Sequence, residues 1–398
     1  MSLTAAAAQQ AWHSLAVLLV LRVLPVILFL LVTPQTNLRQ KMATLITAVA
    51  FFAITHGWTL VPWGWYGAAY AYLIGAACLV PTVARRLQNR RLSRGGTFLV
   101  CLFAFLLFPG FLWPPAMKLV ALVFAWDLVL SSYSYCVEMA RTTEPPSRRD
   151  CLFFLFVNPA LVYSQRGHRI GPATFDRVGL RRILLGTLIF LSTWLVLMPV
   201  FRLLNQRSAS NGLSGLAYAD LILCGLVAFA IQYAQASALA SLQIGLLRQT
   251  GHQIPERYDW PIRAKTLPEF WRRWNTYVSQ WALHYVFLPF SLRLGRRFRN
   301  RRSRTLITIL ALIGAFLVMG ILHDAYTSLV PLVAKYHLTV MFLVNGVLVV
   351  LWLGLERIGQ RAEDDGRLPK WVVPLASAVS RLCLWSFVAV CALWRISI

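Results

Sequence analysis

LITILALIGAFLVMGILHDA, Leu306–Ala325, decides the fold class of this chain. No charge interrupts it from Leu306 to Leu322, and an apolar helix of this kind covers most of a hydrocarbon core about 30 Å thick. Runs like it recur along the whole sequence, at 14–33, 42–62, 65–82, 97–113, 116–136, 183–204, 215–245, 304–323, 329–355 and 370–392. With 58% hydrophobic and only 13% charged residues, and a mean hydropathy of +0.61, the chain lies outside the range of soluble domains. A β-barrel would read as short alternating segments, which are absent. The expectation is an all-α polytopic membrane protein of about ten transmembrane helices, forming a single membrane domain over 1–398 with no internal repeat. Two further apolar pieces, 151–163 and 277–290, are short and broken by Pro159 and Pro289. They read as re-entrant or interfacial helices rather than spans.

The net charge of +25 is carried mostly by arginine. The arginines cluster in ARRLQNRRLSR, RTTEPPSRR, SQRGHRIGPATFDRVGLRR and RLGRRFRNRRSR, all between apolar runs, whereas PWGWY and LWPPA carry none. Positive charge is retained on the cytoplasmic face and tryptophan gathers at the interface. That places the basic loops inside, facing anionic lipid, with both chain ends outside, as in a multi-pass protein of a bacterial inner membrane. The first apolar run is longer than a signal-peptide core and follows no basic segment, so it reads as a retained span. Nucleic acid is not an expected partner, because no basic face, RNA-binding motif or zinc motif accompanies the charge. The seven cysteines show no CxxC pair or metal spacing. They read as small buried hydrophobes, and no metal site is expected.

Ionisable groups at membrane depth are costly and need a partner or a purpose. Arg22 lies in the first apolar run, where a long side chain snorkels or pairs inside the bundle. Asp127, within FAWDLVL, suits either a buried ion pair or a catalytic task. Asp220 stands near the start of its helix, where the dipole favours an acid. His56 lacks a second ligand or base nearby and reads as structural. His323 differs: it closes the opening stretch after the flexible Gly320 and beside Asp324. Histidine exchanges a proton near neutral pH more readily than other side chains, which makes His323 the leading general base. A lone histidine at a helix end is equally compatible with a hydrogen-bonded cap.

Upstream, FWRRWNTYVSQW (Phe270–Trp281) is too polar for a span and too aromatic for an ordinary loop. In its setting, LPEFWRRWNTYVSQWALHYVFLPF followed by GILHDA, it resembles the membrane-bound O-acyltransferase family. Pro268, Phe270, Trp271, Arg272, Arg273, Trp274, Ser279, Trp281, Tyr285, Val286 and Pro289 match that family's FWRRW block, and Gly320 and His323 match its later histidine motif. FLVNGVLVVLW, from Phe342, looks like the helix that usually follows, so the core motif region is 267–352. Asn275 stands where many bacterial members carry histidine, although asparagine is the usual partner in sterol and diacylglycerol acyltransferases. Ala282, Leu283 and His284 replace the usual residues before the tyrosine, and Asp324 replaces a glycine.

The resemblance implies acyl transfer from a thioester, an acyl-CoA or acyl-carrier donor, to a hydroxyl or amine, with a hydroxyl the first expectation. It assigns His323 as base and Asn275 either as a hydrogen-bond donor to the carbonyl or as the residue that orients the acceptor. Arg272, Arg273, Trp271, Trp274, Tyr285 and Asp324 are the candidate substrate-binding residues. No bound cofactor is implied. The expected partners are membrane lipid, the acyl donor, a glycan or lipid acceptor, and a periplasmic or membrane accessory protein. Acetyl transfer to an envelope polysaccharide is the first expectation, and a lipid or sterol-like alcohol the second. A transporter or flippase without covalent chemistry is the alternative, although paired halves with matching broken helices, common in transporters, are not seen. A family member that only scaffolds partners is a third.

Overall fold

The computed structural model describes residues 63–113, 115–169, 176–210, 215–298, 301–329 and 338–364, and these are almost entirely helical. The expected spans 14–33, 42–62 and 370–392 lie outside the described residues, as do Arg22, His56, Cys383 and Cys391. In chain order the helices are α1 (Trp63–Gln88), α2 (Arg94–Leu102), α3 (Phe108–Leu112), α4 (Pro115–Met139), α5 (Arg148–Leu152), α6 (Arg177–Ser192) and α7 (Met198–Ser210). They continue as α8 (Gly215–Arg248), α9 (Leu267–Arg273), α10 (Thr276–Ala282), α11 (Leu288–Arg297), α12 (Arg301–Leu329) and α13 (Leu338–Asp364). Among the described residues, six stretches are helical, long and apolar enough to cross a membrane: Ala68–Gln88, Arg94–Leu112, Arg177–Leu204, Ile222–Arg248, Ser303–Ala325 and Leu338–Ile358. The expected span 116–136 is helical throughout, as α4.

Four five-residue π turns, Phe103–Leu107, Phe153–Val157, Thr193–Leu197 and Leu283–Phe287, share one cause. Each ends two residues before a proline, at Pro109, Pro159, Pro199 and Pro289. Proline has no N–H to donate, and its ring collides with the carbonyl four residues earlier. One extra residue in the preceding turn moves that carbonyl aside. Three of the helices then continue. The fourth stops, because Asn158 turns extended (φ −82, ψ 125).

The described chain falls into two compact units. The first takes the described residues that fall within Met1–Thr187, Leu239–Glu256 and Ser328–Val333. Its centre is α4, buried continuously from Asp127 to Val137. The stripe Ala69, Leu73, Ala77, Val80 and Ala84 of α1 is likewise buried, at the spacing of one helical face. A two-residue antiparallel pairing, β1 (His168–Arg169) with β2 (His252–Gln253), belongs to this unit.

The second unit takes the described residues that fall within Leu188–Ala238, Arg257–Thr327 and Ala334–Ile398, and it carries the motif helices. Here α12 and α13 approach closely through Gly320, where an added Cβ would lie 2.6 Å from the Cα of Thr339. The Asp324 carboxylate spans the same junction. It accepts from the N–H of Leu338 and of Thr339, both at 2.8 Å, and from the Thr339 hydroxyl at 2.5 Å. Two of the donors left unpaired at the start of α13 are thereby satisfied.

Candidate active site

The short helix α9 is fixed at its start by Thr266, whose Oγ1 accepts from the N–H of Glu269 at 3.3 Å, with Pro268 in the first turn. Glu269 reaches back to the N–H of Lys265 at 2.8 Å, a shifted version of the reciprocal cap that opens many helices. It also receives the Nε of Arg273 at 2.9 Å. The Lys265 bond is the main reason the Glu269 carboxyl sits below its ordinary value of 4.5; Arg273 and Arg272 reinforce it, while partial burial opposes.

After α9 the chain breaks at Asn275, which adopts a left-handed conformation (φ 41, ψ 65). Asparagine tolerates that region better than most residues. The turn is held by Ser279, whose hydroxyl lies 3.0 Å from the carbonyl of Trp271 and 3.3 Å from that of Trp274. These are among the carbonyls a helix end leaves unpaired. The turn therefore sets Asn275 apart from both helices and directs it into a cavity.

That cavity has a volume of about 460 Å³ and lies wholly within the second unit. Arg272, Trp271, Trp274 and Asn275 line one part of it; Leu312, Phe316, Met319 and His323 come from α12, and Phe342, Val349 and Leu353 from α13. From Leu312 to His323, α12 rises by about 16 Å, so the lining extends along the helix. Met319 and Phe342 both bear on the ring orientation of His323. Its Nδ1 lies 2.6 Å from the Met319 carbonyl, and the Phe342 ring is 4.7 Å away at 32°. A carbonyl only accepts, so Nδ1 carries a proton, and in the neutral form of the ring the lone pair is on Nε2.

The tryptophans are anchored by what surrounds them. Trp271 donates its indole N–H to Oδ1 of Asn345 at 3.0 Å and meets Phe316 edge-on at 5.6 Å. Asn345 is fully buried and donates to the Met341 carbonyl at 2.8 Å. Trp274 stacks on Phe270 at 5.5 Å and 20°, with Phe229, Tyr233 and Tyr258 completing an aromatic enclosure.

Five of the eight residues singled out in the sequence thus meet at one cavity: His323, Asn275, Arg272, Trp271 and Trp274. The other three are not in its lining. Arg273 is held by Glu269 and by Asp259, whose Oδ2 lies 3.1 Å from its NH1. Asp324 caps α13. Tyr285 packs against Trp281 at 5.5 Å. Asp127 is buried in the first unit and does not line the cavity either. Sequence reasoning passed over Asn345 and Arg257. Asn345 had a readable signal, as a lone amide in the apolar run from Leu338 to Trp352. Arg257 had none, being one charge in a polar loop. No group of three or more His, Cys, Asp or Glu side chains suited to a metal ion occurs among the described residues.

The model of the MBOAT family, membrane-bound O-acyltransferases, matches residues 152–345, which include both Asn275 and His323. Among curated proteins, the probable alginate O-acetylase AlgI of Pseudomonas aeruginosa is 23% identical over 260 residues, 61% of this chain and 44% of that protein. Sterol O-acyltransferase 2 of Mus musculus is 25% identical over 228 residues, 53% of this chain and 40% of that protein. The teichoic acid D-alanyltransferase of Bacillus subtilis is 24% identical over 102 residues, 26% of this chain and 25% of that protein. The chain therefore matches less than half the length of each of these relatives.

Proposed function

We propose that the chain is a member of the membrane-bound O-acyltransferase family, whose model matches residues 152–345, and that it transfers an acyl group from a thioester to a hydroxyl of an envelope glycan, glycolipid or lipid. The observation that carries this reading is the meeting of Asn275 and His323 in one cavity, with the histidine held in the tautomer a general base requires.

In the proposed step, Nε2 of His323 removes the proton of the acceptor hydroxyl as its oxygen attacks the thioester carbonyl. Positioned proton transfer of this type contributes about 10²–10⁴ in rate. The amide N–H of Asn275 donates to the oxyanion that forms. Collapse breaks the carbon–sulfur bond, and the departing thiolate takes the proton back from His323. The ester and a free thiol are the products. The apolar lining excludes water that would otherwise hydrolyse the donor. Arg272, exposed at the cavity lining, is placed to meet the phosphates of a CoA or carrier donor.

Acetyl is the acyl group favoured by the likeness to the alginate O-acetylase, and a sterol-like alcohol is the acceptor suggested by the likeness to the sterol O-acyltransferase. The full arrangement we propose has ten spans in a bacterial inner membrane, with basic loops in the cytoplasm. Donor enters from that side, the acceptor is presented from the other, and an accessory protein delivers it. The transporter alternative finds no support in the relatives.

The experiment is transfer of radiolabel from acetyl-CoA, by the purified full-length chain, into membranes of a strain lacking it. Label in a glycan or lipid fraction supports the proposal. Absence of label with acetyl and longer acyl donors alike contradicts it.

A further inference from the structure

Arg257 lies outside every motif that identifies the site, in the loop that precedes α9. It is nevertheless the residue against which Asn275 rests. Its Nε lies 3.3 Å from Oδ1 of Asn275, and its guanidinium is 5.8 Å from the centre of the Tyr277 ring. Two backbone bonds brace the same loop against the turn. The Arg257 carbonyl accepts from the N–H of Thr276 at 2.8 Å, and the N–H of Asp259 donates to the Arg273 carbonyl at 3.0 Å.

An asparagine amide has an accepting end and a donating end, and nothing in its own shape decides which end faces a cavity. A guanidinium offers only donors. The end of Asn275 that meets Arg257 must therefore be the oxygen, and the amide nitrogen is the end left for the cavity that Asn275 lines. A cation bonded to the amide oxygen also draws electron density from the nitrogen and strengthens its N–H groups as donors.

We propose that Arg257 is a positioning residue of this site: by holding the oxygen of Asn275, it fixes the amide with its N–H groups aimed at the reacting carbonyl. This rests on the acyl-transfer reading above. Arg257 acts through Asn275 and touches no reacting atom.

The test uses the full-length chain with radiolabelled acetyl-CoA and membranes of the deletion strain. Arg257→Met lowers kcat about tenfold, a fraction of the 10²–10³ attached to an oxyanion donor itself, and leaves KM for acetyl-CoA unchanged. Arg257→Lys, which still donates, recovers most of the loss. On the Asn275→Ala background, Arg257→Met adds no further loss, because the residue it orients is gone. If Asn275→Ala falls below detection, the recovery by lysine decides.

A rise in KM without a fall in kcat overturns the proposal and makes Arg257 a donor-binding residue. So does a loss that multiplies with that of Asn275→Ala. If His323→Ala and Asn275→Ala both lose transfer while Arg257→Met matches wild type, only the role of Arg257 is lost. If His323→Ala retains transfer, the acyl-transfer reading of the site is what fails.

Discussion

The rings of His323 and Phe342 lie 4.7 Å apart at an angle of 32°, with one on α12 and the other on α13. Phe342 in turn packs on Trp271 at 5.6 Å, and Trp271 is bonded to Asn345. One aromatic column thus connects the FWRRW helix to the histidine. Replacing Phe342 with alanine removes the ring that packs against His323 and loosens the imidazole's orientation. We expect kcat for acyl transfer to fall at least tenfold, since small misplacements of a reacting group cost up to about 10²-fold. Phe342→Leu, which keeps the bulk, retains more activity. Steady-state rates of the two variants at saturating donor check this.

Asp324 adjoins the candidate base in sequence, yet its carboxylate serves the start of α13. Asp324→Ala therefore acts on stability before chemistry. Loss of an N-terminal cap costs about 0.5–2 kcal/mol, read as a lower Tm of the purified protein. Asp324→Asn, which keeps an accepting oxygen, recovers part of it. A folded Asp324→Ala protein with no transfer would give the carboxylate a direct role instead.

The adjacent arginines are expected to separate in their effects. Arg273 bonds Glu269 and Asp259, and Arg273→Ala should lower Tm. Arg272 lines the cavity, and Arg272→Ala should raise KM for acetyl-CoA severalfold with little change in Tm. Paired melting and kinetic measurements on the two variants test the division.

Glu269 adds a pH dependence. Its carboxyl is held below the ordinary 4.5, first by the N–H of Lys265 and then by Arg273. A depressed acid contributes stability that is fully present above the unfolded value and is lost as pH falls through the folded one. Thermal melts of wild type should therefore show part of their acid sensitivity below about pH 4.5. Glu269→Gln should be less stable than wild type at pH 7 and should lose less between pH 5 and pH 3, as about two melting series would show.

The helices were legible because a bilayer demands long uncharged runs: Arg94–Leu112 and Ser303–Ala325 appear within a few residues of where hydropathy places them. That Asn275 and His323 line one cavity agrees with the expectation drawn from the residues around them. The contacts that orient them were not legible. Trp271 and Asn345 are 74 residues apart, and Arg257 reads as a solvated charge until the turn at Asn275 closes over it. Nor did composition separate Arg272 from Arg273. Neighbours on a helix point in different directions, and only the placement of Asp259 and Glu269 shows which one is held. The prolines were visible, but their effect was not only to break helices: Pro109, Pro199 and Pro289 are each accommodated by a π turn, and the helix runs on.

The central claim is that the histidine at the end of the stretch Leu306–Ala325 takes the acceptor proton. The most direct measurement is the rate of label transfer from acetyl-CoA by purified His323→Gln, alongside wild type of matching Tm. A fall of about 10² or more with the fold intact is the predicted result. Transfer at the wild-type rate would contradict the account.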